Sequence, residues 1–241
     1  MSFSHRKVED KVARETIFDY PVVSASELPD FIANELGIVP WEKLAPTVNM
    51  SEYLKRDLTK NEIEEALRFG PKQEVLFLKN PSTDKPFTGF RGVGKPWATT
   101  IAFIEHDGEN YVPLVAEWKH GCETITIVPP SGIPKKGETY ADAGKREFLE
   151  ETGLELDWIY PLAKGIPQAA SGRQYNGSGY LFLGGIKRPV VRQWSKLDEN
   201  ELAKVFVMKL SEWRNALKAG IAVESVSTCV TYLALEHLGW L

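Results

Sequence analysis

The stretch GIPKKGETYADAGKREFLEETGL, residues 132–154, sets glutamates, an arginine and glycines at fixed intervals. Glu147, Glu150 and Glu151 stand at i, i+3 and i+4, so a helix here carries three carboxylates on one face. Like charges that close repel, and a purely structural helix gains nothing by gathering them. A hard divalent cation removes the conflict, because magnesium takes carboxylate oxygens and keeps waters for a phosphate substrate. The spacing therefore predicts a metal site carried on a helix. Thr139 followed by Asp142 forms an N-capping pair, and Gly153 sits where a helix ends in a left-handed residue. Ala141, Phe148 and Thr152 lie on or near one side and are expected to face a sheet, opposite the carboxylates. Gly144 weakens the helix by about 1 kcal/mol relative to alanine. The loop ahead of the helix, with Pro129, Pro130, Gly132, Pro134 and Gly137, is rich in turn formers. A solvated acidic helix face is the plainer reading of a charge run, but it leaves the glycines and Arg146 as coincidences.

Around this segment the chain is of ordinary globular composition. Its 241 residues suffice for one domain plus a substantial extension. A net charge of −4 gives no electrostatic footprint for a nucleic-acid backbone, so a nucleic-acid partner is not expected. Cys122 and Cys229 form no disulfide framework and have no metal-ligand spacing. The charged N-terminal stretch is unlike a secretory signal, and no apolar run approaches the roughly 20 residues that span a bilayer. The expectation is a cytoplasmic protein without a membrane partner. The histidines, at 5, 106, 120 and 237, are scattered, and His120 is the one near the acidic helix. Gly89–Gly94 is glycine-rich but fits no phosphate-loop spacing and is read as a loop.

Along the chain, helices are expected around 27–36 and 60–69, the second opened by a Thr59/Glu62 capping box and closed by Gly70. Residues 74–79 read as a strand, and 80–96 as a linker or long loop. Strands at 98–105 and 111–118 flank a hairpin-like Asp107-Gly108 turn, and 124–128 alternates into the acidic segment. Strand-like runs follow at 155–163, 179–186 and 203–209, then helical patterns at 210–219 and 223–238. The pattern predicts an α+β layered domain over 96–241, its acidic helix laid against a mixed sheet, preceded by an N-terminal extension over 1–95.

The spacing Gly132, five residues, Glu138, seven residues, Arg146-Glu147, then Phe148, Glu150-Glu151, Gly153 and Leu154 resembles the Nudix box in full. Seven fixed positions at background frequencies of roughly one in fifteen coincide by chance on the order of once in 10⁸ trials. The resemblance implies a Nudix-type α/β/α sandwich with a mixed sheet. It also implies hydrolysis of nucleoside diphosphates linked to another moiety, with Mg2+, or Mn2+, as the cofactor. Glu117-Trp118-Lys119, twelve residues and Gly132 is similar to the approach to the box in ADP-ribose and ADP-sugar pyrophosphatases. Pro167, the loop Ser171–Gln174 and the tail KAGIAVESVSTCVTYLAL resemble that branch as well. The chain departs from it at Val128, where the branch carries a glutamate, at Lys119, where it carries an arginine, and at Pro167, which stands thirteen residues after Leu154 rather than fifteen after the box.

By this resemblance Gly132 (through its carbonyl), Glu147, Glu150 and Glu151 hold the metal, and Arg146 orients the glutamates while Glu138 supports them. Glu201 is the first choice of general base, with Glu199 and Asp198 behind it, in the loop before the last strand. Trp118, Lys119, Arg173 and Tyr175 are the candidates for contact with substrate. Dimerisation through the N-terminal region is implied by the resemblance alone. Two other readings stay open: a Nudix-like sensor that binds a nucleotide sugar without cutting it, and an enzyme for another substrate such as dinucleoside polyphosphates or coenzyme A.

Overall fold

The computed structural model describes residues 14–38, 57, 59–60, 72–79, 82, 85–119, 122–171, 175–186, 203–221 and 224–241. In chain order the first elements are β1 (Thr16–Ile17), β2 (Tyr20–Pro21), α1 (Leu28–Asn34), β3 (Lys72–Lys79) and β4 (Pro86–Val93). The long strands β5 (Trp97–His106) and β6 (Glu109–Lys119) follow, then β7 (Thr124–Val128), β8 (Ser131–Gly132) and the acidic helix α2 (Tyr140–Thr152). After it come β9 (Trp158–Pro161), β10 (Gln168–Ser171), β11 (Tyr175–Gly185), β12 (Ala203–Lys209), α3 (Leu210–Lys218) and α4 (Ser225–Leu238).

The hairpin at Asp107-Gly108 forms as the dipeptide suggests. Both residues have positive φ, 50° and 78°, which turns β5 directly back into β6. From this pair a mixed sheet extends in the order β12-β6-β5-β11-β4-β3, with β7 on β6, β8 on β5, and β9 and β10 on β11. β5 and β11 run parallel from Trp97 with Gly179 to Phe103 with Gly185, whereas β6 pairs antiparallel with β5, β7 and β12.

Strand β5 is buried on both faces, and its alternation divides the core. Ile101 and Phe103 join Leu114, Ile127, Phe206, Met208 and Trp213 beneath α3 and α4. Ala102 and Ile104 turn the other way and pack with Phe148, Leu154 and Val207 beneath α2. The expected α/β/α sandwich with a mixed sheet is the observed fold. Helix α2 comes closest to the sheet at Gly144, where an added Cβ would stand 2.6 Å from the Thr100 hydroxyl and 3.1 Å from Ile159. The buried face of α2 is Ala143, Gly144, Phe148 and Thr152. Ala141, expected there, lies half-buried at its border.

Residues 14–38 pack into this core. Val23 donates its amide to the Val207 carbonyl at 2.9 Å, and Ala25 to a Glu212 carboxylate oxygen at 2.8 Å. Phe31 meets Phe206 with ring centroids 5.4 Å apart, and the Tyr20 hydroxyl donates to the Thr152 carbonyl at the end of α2. That carbonyl belongs to the last turn, where backbone acceptors lack a helical partner.

Two expectations are corrected. The stretch 80–96 is not simply a linker: Pro86–Val93 is a strand paired antiparallel with β3 from Lys79–Pro86 to Lys72–Val93. Most of the glycine-rich run 89–94 lies in that strand. Its glycines mask residues of high strand propensity, Phe87, Thr88, Phe90 and Val93, and pairing outweighs the glycine penalty. The expected strand 155–163 is shortened to Trp158–Pro161, because Ala163 and Lys164 adopt positive φ, 48° and 55°, and turn the chain. The helix expected at 60–69 lies, beyond Lys60, outside the described residues.

Gly144→Ala separates two opposed effects. Helix propensity favours the substitution by about 1 kcal/mol, while overpacking against Thr100 opposes it by about 1–3 kcal/mol. Urea unfolding is expected to show a net loss of stability. A net gain would mean that α2 does not sit on β5 this closely.

Candidate active site

The turn through Pro129 and Pro130 brings Ser131 and Gly132 alongside β5, with Ala98 opposite Gly132 and Thr99 opposite Ser131. The chain then reaches Thr139, whose extended backbone (φ −75°, ψ 160°) and hydroxyl, accepting from the Asp142 amide at 3.1 Å, start α2. Gly153, left-handed at φ 66°, ends it. These two caps fix which residues face Gly132. The Glu147 carboxyl lies against the Gly132 Cα so closely that any side chain at 132 would overlap it.

Arg146 stands at the centre of the acidic group. Its Nε and Nη2 donate to the two oxygens of Glu138 at 2.8 and 2.9 Å, a two-pronged clamp. Its Nη1 donates to Glu147 Oε1 and to Glu150 Oε2, each at 2.7 Å, and Nη2 also reaches the Ile133 carbonyl at 3.2 Å. The Ser131 amide lies 3.4 Å from Glu151 Oε1. The box carboxylates therefore converge on one edge of the sheet, held from the loop, the helix and β8 together.

Arg146 beside Glu138 holds that carboxyl at about 2, well below its ordinary 4.5; burial opposes the shift and the Lys135 amide adds to it. The same hydrogen bond keeps the Arg146 guanidinium protonated more firmly than usual. Lys135 went unremarked in the sequence, yet its amide donates to Glu138 Oε2 at 2.8 Å and its Nζ lies 3.3 Å from Glu150 Oε1. The signal for it was present as the Lys135-Lys136 pair between the two box glycines.

Lys119, at the end of β6, faces the same side. Burial disfavours its charge, but the carboxylates around it, Glu117 foremost with Glu224 and Glu151 adding, together outweigh that, so its pKa is raised. Glu224, just before α4, accepts from the Thr126 hydroxyl at 3.3 Å. Neither Glu117 nor Glu224 was named as a site residue from the sequence, although Glu117 opens the triplet that stands twelve residues ahead of Gly132. Trp118 turns to the opposite face of β6 and packs against the α3–α4 core, which leaves Lys119 on the box side. Tyr175 opens β11 opposite Gly92, at the same end of the sheet as Gly132. Arg173, Asp198, Glu199, Glu201 and His120 lie outside the described residues.

The donor set fits a hard divalent cation: carboxylates and a main-chain carbonyl, with no described thiol or imidazole among them. Among the described residues no three acidic, histidine or cysteine side chains already converge at metal-binding distance, since Arg146 draws Glu147 and Glu150 toward itself. Each of those carboxylates has a second oxygen beyond the one bonded to Nη1.

The Glu138–Arg146 pair should be visible in acid. Because the folded carboxyl titrates near 2 and the free one near 4.5, its stabilisation is complete above about 4.5 and disappears as pH falls through about 2. Urea stability is expected to fall more steeply over that interval in the native chain than in Glu138→Gln. Parallel slopes would remove the pair from the account.

A comparison with curated proteins gives no match. Among solved structures, a protein described as an ADP compounds hydrolase superposes with a TM-score of 0.56 at 16% identity, over 70% of this chain and 88% of its own. That likeness carries the fold. The model of the NUDIX domain matches residues 94–225, more than half of the sequence and the span that holds the sheet strands from β5 to β12, the caps and the acidic cluster: the chain belongs to the Nudix hydrolase family.

Proposed function

We propose that this Nudix hydrolase cleaves the diphosphate bond of a nucleoside diphosphate linked to another moiety, ADP-ribose or a nucleotide sugar foremost. The products would be a nucleoside monophosphate and a sugar phosphate. The observation that carries the reading is that Arg146 holds Glu147 and Glu150 beside Gly132, while the Ser131 amide lies 3.4 Å from Glu151. The approach segment Glu117–Lys119 and the similarity to an ADP compounds hydrolase support the choice of substrate class.

Glu147, Glu150, Glu151 and the Gly132 carbonyl would hold the cation, Mg2+ or Mn2+. Bound there, a divalent ion neutralises charge on the diphosphate and lowers the pKa of a coordinated water. The chain's own residues prepare this. Arg146 fixes the carboxylates that it touches, and Glu138 and the Lys135 amide fix Arg146. Lys119 presents a partly buried ammonium beside Glu151, suited to a phosphate oxygen as a point charge. Glu201 remains the proposed base and Arg173 and Tyr175 the proposed sugar or phosphate contacts. The protein is proposed to act in the cytoplasm; no described helix is long and apolar enough to cross a membrane.

The reading is tested by incubating the protein with Mg2+ and ADP-ribose, ADP-glucose, NADH and diadenosine polyphosphates, and weighing the products by mass spectrometry. AMP with a sugar phosphate is the expected outcome, and chelation should abolish it. Glu150→Gln and Glu151→Gln should each lower turnover by about 10²-fold or more. Near-normal activity in both variants would sink the assigned site.

A homodimer built through the N-terminal region is proposed as well. The edge strand β3 leaves Phe77 84% and Leu78 50% exposed, an apolar edge suited to burial against a second copy. Light scattering after gel filtration at micromolar concentration should give twice the chain mass; a clean monomer removes the proposal.

A further inference from the structure

At the far end of β5 from the Nudix box lies a cavity of about 270 Å3, between the ends of β5 and β11, the strand β9 and the residues after α4. Glu105 lines it, whereas Ala98 on the same strand pairs with Gly132. Those positions are seven residues apart, or roughly 23 Å along an extended strand. The cavity is thus separate from the acidic cluster.

Three aromatic rings line it, Phe103, Trp158 and Trp240, each held by a different element. Phe103 is anchored in β5 and largely buried. Trp158 pairs with Gly185 across β9 and β11, and its indole lies so tightly on that glycine that a Cβ there would overlap it. Trp240 is fixed by the end of α4: Gly239 is left-handed at φ 67°, and the Trp240 amide donates to the Leu235 carbonyl at 2.9 Å. The Phe103 and Trp240 rings stand 5.4 Å apart at 56°, forming a corner rather than a stack. Both indoles remain open to solvent, Trp158 at 39% and Trp240 at 38%.

Among the described residues the polar lining has one sign. Glu105 is the charged residue among the described residues of the lining, and Asn110 is its direct cross-strand partner. Neither side chain has a hydrogen bond or ion pair among the described residues. Among the described residues of the lining, a phosphate would find a carboxylate and no counter-charge. A cation would find aromatic faces, which carry negative potential, and a carboxylate at the rim. A bulky ammonium whose methyl groups shed water readily gains from both, whereas a small metal ion would lack ligands.

We infer that this cavity is a binding site for a small organic cation of the quaternary-ammonium or methylated-amine class, held against Trp158, Trp240 and Phe103 with Glu105 as its counter-charge. The inference stands independently of the hydrolase reading, since no residue is shared between the two sites.

The test is a titration of the 15N-labelled protein with choline, and with dimethylbutanol, its neutral carbon isostere. The indole Nε1–H signals of Trp158 and Trp240 are assigned from Trp158→Phe and Trp240→Phe, which keep an aromatic ring at each place. Saturable shifts of both signals with choline are expected, with the neutral isostere binding about tenfold more weakly. Glu105→Gln, an exposed substitution, should weaken choline severalfold and leave the isostere unchanged. Equal binding of the isostere, absence of saturation, or indifference to Glu105→Gln would each overturn the assignment.

Discussion

Carboxylates on successive turns of one helix repel by roughly 4 kcal/mol per pair at about 4 Å, for an effective dielectric near 20. The guanidinium of Arg146 is what makes the arrangement tenable. One nitrogen serves Glu147 and Glu150 while the other two clamp Glu138, a division of labour that needs a planar fork of donors. A lysine offers a single point charge and could not hold three carboxylates in fixed relation. Much of the surrounding chain is shaped by this one contact. Position 132 must carry no side chain, since Glu147 occupies that space. The helix must begin at Thr139, so that Glu138 stays outside it and can turn back on Arg146. Gly144 must be bare so that α2 settles on β5 and brings the carboxylates to the sheet edge.

What the sequence made legible was whatever depends on neighbours in the chain. The caps Thr139 and Gly153, the Asp107-Gly108 turn and the alternation of β5, β6 and β7 are local, and each stands where its residues indicate. What stayed hidden depends on pairing at a distance. Strand β4 was obscured because its glycines signal a loop until β3 is laid beside it. The face of Trp118 was undecided because a strand end does not declare which side is the core, and the hydrophobic cluster under α4 settles it. The grouping of Lys119 with Glu117, Glu224 and Glu151 draws on β6, the start of α4 and α2, which no local pattern relates. The same holds for residues 14–38. Their short strands and one-turn signals give no hint that Tyr20 reaches the last turn of α2, or that Phe31 packs on β12.

The two faces of β5 explain why fold and site are so closely joined. Its even-numbered side chains, Ala98, Thr100, Ala102 and Ile104, lie under α2, and most are small or compact where the helix comes nearest. That approach leaves the Thr100 hydroxyl buried without a partner among the described residues, a polar group set in the contact surface itself. An unsatisfied hydroxyl in such a place costs about 1–3 kcal/mol, and the packing of Phe148 and Leu154 must outweigh it. The C-terminal part of the helix is thus held near the sheet by Phe148 and Leu154, while the N-terminal half, above Thr100, packs through Ala143 on Ala98 and Phe182, with Tyr140 stacked on Tyr180 at 3.6 Å.

Charge balance gives this arrangement its chemical direction. The box and the groups beside it carry seven described carboxylates, Glu117, Glu138, Asp142, Glu147, Glu150, Glu151 and Glu224, and five bases, Lys119, Lys135, Lys136, Lys145 and Arg146. Seven carboxylates against five cations leave an excess of two negative charges around the box, in a chain whose formal net charge is −4. Arg146 and Lys119 cannot relieve it further, since each is already shared among carboxylates. A diphosphate approaching this edge would be repelled by the same excess. Under the proposed function, divalent positive charge held by Glu147, Glu150 and Glu151 would offset that excess and so admit an anionic substrate.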